Sequence, residues 1–98
     1  MKLSLNEAYG LALCASWLYY HKPCMDPILT DAQFDRYCKV LHDNWNNPKF
    51  NHKYKSLVTK ESLAAGSFYH IGSYAYPRGL IDCAEKLSLG IVKIEDFH

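Results

Sequence analysis

The sequence predicts an all-α fold, built as a helix-loop-helix corner plus two further short helices with irregular connections. Three observations predict it. Apolar residues recur at three- and four-residue steps from Leu5 to Tyr19, two capping boxes open the first two helices, and prolines and glycines punctuate the rest. The 98 residues are expected to form a single domain, 1–98, with the corner in 1–50 and additional helices and a tail in 51–98 packing on it.

The first helix opens at Ser4-Leu5-Asn6-Glu7, where a serine oxygen takes an orphan amide and Glu7 reaches back. Leu5, Ala8, Ala12, Ala15 and Tyr19, with Leu11 and Leu18 alongside, form a broad apolar face. This helix is expected to end near Tyr20, stopped by Pro23, and Lys22 to Thr30 reads as a loop. Thr30-Asp31-Ala32-Gln33 is the second box, with Asp31 near the positive end of the helix dipole, and its helix is expected to reach Asp43 or Trp45. Thr59 to Ala65 predicts a short helix closed by Gly66, and Pro77 to Leu89 another closed by Gly90. The Leu80, Ile81, Ala84 and Leu87 face of the last is expected on the first two helices. Phe68 to Tyr76, dense in aromatics, predicts an irregular segment over the corner. Ile91 to Ile94 alternates enough for a short strand or a docked tail.

Composition narrows the function classes. Hydrophobic residues are 49% and charged residues 21%, as in a folded globule. The net charge is +1 with the cations scattered, so direct nucleic-acid binding is not expected. No apolar run suits a membrane span and Met1-Lys2-Leu3-Ser4 starts no signal-peptide pattern, which makes cytoplasmic localisation the expectation. The four cysteines lack Cys-x-x-Cys spacing and read as reduced thiols. His21-x-x-Cys24 with Cys38-x-x-x-His42 has a zinc-finger-like look. The preferred reading puts Cys38 on the apolar stripe Phe34, Cys38, Leu41, Trp45 as a small buried hydrophobe.

Two clusters carry the chemistry, Tyr19-Tyr20-His21 at one helix end and Asp31-Ala32-Gln33-Phe34-Asp35 at the next helix start. Taken singly, the tyrosines read as packing residues, His21 and Asp31 as dipole charges, and Asp35 and Arg36 as a solvated face. Together, two aromatic faces with carboxylates nearby suit a flat cationic ring bearing a sugar. The ribose hydroxyls and a carboxamide would donate to Asp31 and Asp35, and a phosphate would accept from His21.

The order and spacing resemble the small N-terminal Ia domain of bacterial NAD-dependent DNA ligases. That domain has Tyr-His at a helix end, a Pro-containing loop, and Asp-Ala-Glu-Tyr-Asp-Arg opening the next helix. Here the match is Leu18-Tyr19-Tyr20-His21, Pro23 and Pro27, Asp31-Ala32-Gln33-Phe34-Asp35-Arg36, Leu41, and Asn47-Pro48 as the exit. The resemblance covers roughly the first half of the chain and implies binding of the nicotinamide mononucleotide (NMN) half of NAD. Tyr20 and Phe34 would be stacking walls, with His21, Asp31 and Asp35 as polar contacts. Phe34 stands where the family has tyrosine. The chain also has no Lys-x-Asp-Gly, so the lysine nucleophile of a ligase is missing and no catalytic residue is assigned.

A freestanding NMN/NAD-binding module is therefore expected, alone or with a separately encoded ligase-like subunit, as would suit a phage or mobile-element genome. The alternative is a protein-interaction or inhibitor module that reuses the Ia scaffold and binds a host protein through the 68–76 segment. A weaker cluster, Tyr74, Tyr76 and Arg78, offers a phosphate site, and Ser67, His70 and Asp82 assemble a hydrolase set without a nucleophile-elbow motif.

Overall fold

Helix α1, Leu5–His21, runs through the middle of the molecule with α2, Asp31–Asp43, and α4, Arg78–Leu89, packed against it. The short α3, Lys60–Ala65, lies on α2. The computed structural model describes residues 3–93, and among these there is no strand. The all-α expectation holds. No helix among the described residues is long and apolar enough to cross a membrane.

α1 is covered on most sides because its sequence is apolar on most sides. Ala8, Tyr9, Leu11, Ala12, Leu13, Cys14, Ser16, Trp17 and Leu18 are all buried, a nearly unbroken run rather than one stripe. Local chemistry sets the helix starts. Glu7 N donates to Ser4 Oγ at 3.1 Å and Ser4 N to Glu7 Oε1 at 3.1 Å, and Thr30 and Gln33 repeat the reciprocal pair at 3.1 and 2.9 Å. Thr59 caps α3 in the same way with Ser62 as its partner. Gly66 and Gly90 end α3 and α4 with φ of 65° and 78°, the left-handed geometry that lets the following residue bond back into the helix.

The second half differs from expectation in two places. Pro77 is the N-cap of α4, just outside its first turn. The apolar face of α4 has α1 as its main support rather than both early helices, and Ser88 Oγ ties the helix end to Asp26 O at 2.7 Å. Of the two forms expected for Ile91 to Ile94, the described part takes the docked tail: Ile91 N bonds to Lys86 O at 2.9 Å and Val92 packs against the core. Ile94, the last residue of the expected strand or docked tail, lies outside the described residues.

Residues 44–59 wrap the N-terminal half of α1. Lys55 Nζ donates to Trp45 O at 2.6 Å and Phe50 O at 2.9 Å while lying 4.7 and 4.3 Å from the Trp45 and Phe50 rings. Tyr9, fully buried, donates to Tyr54 O at 2.8 Å. His52 sits beside Tyr9 and accepts from Tyr54 N through Nδ1 at 3.0 Å. Burial first, then Lys53, lowers its pKa below the ordinary 6.5. The unfolded chain thus takes up this proton more readily. The stabilisation is complete above pH 6.5 and is lost as pH falls through the folded-state value. Urea midpoints measured from pH 7.5 to 5 should fall less steeply in His52→Asn, whose amide oxygen keeps the acceptor. An unchanged slope would show that His52 does not carry this dependence.

Candidate functional site

The end of α1, the 27–30 loop and the first turn of α2 enclose a cleft of about 520 Å³. Ala15, Ser16, Tyr19 and Tyr20 form one side, with Phe34, Asp35 and Asp31 opposite and Gly66 at the α3 end. Four of the five expected site residues, Tyr20, Asp31, Phe34 and Asp35, therefore line one concavity. The carboxylates are exposed and the two rings half-buried.

The walls are held at their edges. Tyr20 stands T-shaped to Tyr19 at 4.9 Å and to Tyr69 at 6.0 Å, and Phe34 stands T-shaped to the fully buried Phe68 at 5.3 Å. The expected segment over the corner is thus partly realised, with Phe68 behind one wall and Tyr69 beside the other. Ser16 Oγ–H donates to Leu13 O at 2.8 Å, leaving its lone pairs for the Tyr76 hydroxyl, also at 2.8 Å. Burial raises the Tyr76 hydroxyl to about 12, opposed in part by the bond to Ser16 and aided by lesser contributions from Tyr20 and Cys14, so it stays a neutral donor.

His21 is not part of the cleft. Its Nε2 lies 3.2 Å from Ile71 O, and a carbonyl only accepts, so the imidazole donates there. Trp17 and Tyr76 rings flank it at 5.2 and 5.4 Å. A backbone acceptor fifty residues downstream thus engages Nε2, the His21 nitrogen that would otherwise be free to meet a phosphate.

Cys38 lies in the core as expected, 1% exposed, its thiol pushed up to about 12 by burial and then by Asp35. Cys24, by contrast, is exposed. The weaker clusters are dispersed. Tyr76 is buried while Tyr74 is 93% exposed, and Arg78 pairs with Asp82 at 3.7 Å. His70 Nε2 faces Leu57 O at 2.9 Å, and Ser67 Oγ accepts from Tyr69 N at 3.3 Å.

Sequence reasoning missed Ser16 and Gly66 as cleft residues. Ser16 precedes Tyr20 by one helical turn, a signal that was available. Gly66 enters only through folding. A Cβ there would sit 3.1 Å from Asp35 Oδ1, so the glycine serves both the left-handed cap and the carboxylate's position. Gly66→Ala is expected to cost about 1–2 kcal/mol of stability from the positive φ and to displace Asp35. Gly66→Asn, which tolerates that φ, should recover most of the stability while still crowding Asp35. Denaturant unfolding of the pair checks this, and an alanine variant as stable as the parent would contradict it.

A second, more open cleft of about 500 Å³ lies between α2 and α3, sharing Asp35 and Gly66 with the first. Lys39 and His42 line it, and His42 Nδ1 is turned to Asp43 Oδ1 at 3.2 Å. No family model, curated protein or solved structure matches the chain.

Proposed function

We propose that the chain is a nicotinamide-nucleotide-binding module, taking NMN or the NMN half of NAD, and related to the Ia domain of NAD-dependent DNA ligases. The observation that carries this reading is the convergence of Tyr20, Phe34, Asp31 and Asp35 on one cleft. Its volume of about 520 Å³ falls within the range of roughly 300–1,000 Å³ usual for small-molecule sites. An oxidised nicotinamide ring is cationic, so aromatic faces attract it by about 0.5–2 kcal/mol and carboxylates add to that. Its carboxamide and ribose are donors, matching Asp31 and Asp35, which are acceptors only. The chain supplies no lysine nucleophile in a ligase motif, so the reading is of nucleotide binding and not of ligation by this chain alone. Titration calorimetry with NMN and then NAD tests this, repeated with Asp35→Ala. Saturable heat that is lost in the variant is the expected result, and silence at millimolar ligand would overturn the reading.

A second reading, a module that binds a protein partner, draws on Tyr69 and Tyr74, 80% and 93% exposed on the segment 68–76. Under that reading Tyr74→Ala abolishes capture of the partner and nucleotide has no effect on it.

A further inference from the structure

The charges around the cleft bear on which part of a nucleotide it reads. Among its described lining residues none is Lys, Arg or His, and two are carboxylates. His21, the phosphate donor expected at this corner, lies outside the lining with its Nε2 bonded to Ile71 O. The positive end of α2 does open here, but Asp31 occupies its first turn and Thr30 Oγ1 takes the Gln33 amide. A helix end carries about half a charge, so a full carboxylate on that turn leaves the local field negative. Beyond Asp35, which lines both clefts, Lys39 supplies a cation and His42 an imidazole to the neighbouring one. A phosphate placed beside Tyr20 and Phe34 would meet Asp31 and Asp35 with no cation among the lining residues to compensate.

We infer that the cleft recognises a cationic pyridinium nucleoside and leaves its phosphate in solvent. This rests on the nicotinamide reading above and specifies its ligand class. The ring's positive charge is then the main determinant of affinity, and the phosphate contributes nothing. Nicotinamide riboside should bind as well as or better than NMN. Reduced NMN has the same amide, sugar and phosphate on an uncharged ring. It should bind about tenfold more weakly, in the range of a desolvated cation–π contact.

Calorimetric titration with nicotinamide riboside, NMN and reduced NMN tests the inference, using the parent chain and Asp31→Asn/Asp35→Asn. The expected pattern is riboside equal to or tighter than NMN, with reduced NMN much weaker. In the double variant the gap between oxidised and reduced forms should shrink. NMN binding more than about tenfold tighter than the riboside would overturn the inference while keeping the nucleotide reading. Equal binding of oxidised and reduced NMN would also overturn it. Silence from all three ligands would instead remove the nucleotide reading itself.

Discussion

Phe68→Ala is expected to remove about 3–5 kcal/mol of folding stability. That is a large fraction of the ~5–15 kcal/mol that holds a domain of this size together. Phe68 is fully buried, and its backbone carbonyl closes the turn that brings Ile71 into the core. Its ring meets Phe34 of α2 edge-on, and the cavity left by truncation adds to the lost transfer energy. Phe34 loses its edge contact in the same step. Urea unfolding should show the loss, with Phe68→Leu costing only about 1 kcal/mol because volume is nearly kept. An alanine variant within about 1 kcal/mol of the parent would mean that Phe34 does not depend on this packing. If enough folded protein remains, its ligand affinity should also fall, since one wall of the cleft has lost its support.

What could be read from the sequence was whatever local chemistry determines. The starts of α1, α2 and α3 follow from Ser4, Thr30 and Thr59, whose partners lie three residues away. The ends of α3 and α4 follow from Gly66 and Gly90, where a left-handed backbone favours glycine. Given those boundaries, Tyr20, Asp31, Phe34 and Asp35 had to meet across a short loop. What was not legible is long-range. His21 obeys Ile71 O, Asp35 is accommodated by Gly66, and Lys55 organises Trp45 and Phe50. None of these pairings has a periodic or capping signature. Each is decided by which polar group the packed chain leaves in need of a partner.

Tyr20→Ala is expected to weaken NMN binding by about ten- to a hundredfold, the range that follows from losing one aromatic stacking face. Folding should suffer less, because the ring is half-buried at the rim and its neighbours Tyr19 and Tyr69 are themselves mostly exposed. Tyr20→Phe separates the ring from the hydroxyl. The hydroxyl lies 3.4 Å from Ser67 Oγ, long for such a bond, so its removal should leave both stability and affinity close to the parent. Binding unchanged in the alanine variant would take Tyr20 out of the site. Binding lost equally in the phenylalanine variant would move the interaction from ring to hydroxyl. The same logic bears on Phe34, which stands where the ligase pattern has tyrosine. If the cleft works through ring faces and carboxylates, a missing hydroxyl at 34 costs little, and Phe34→Tyr should leave NMN affinity as it is.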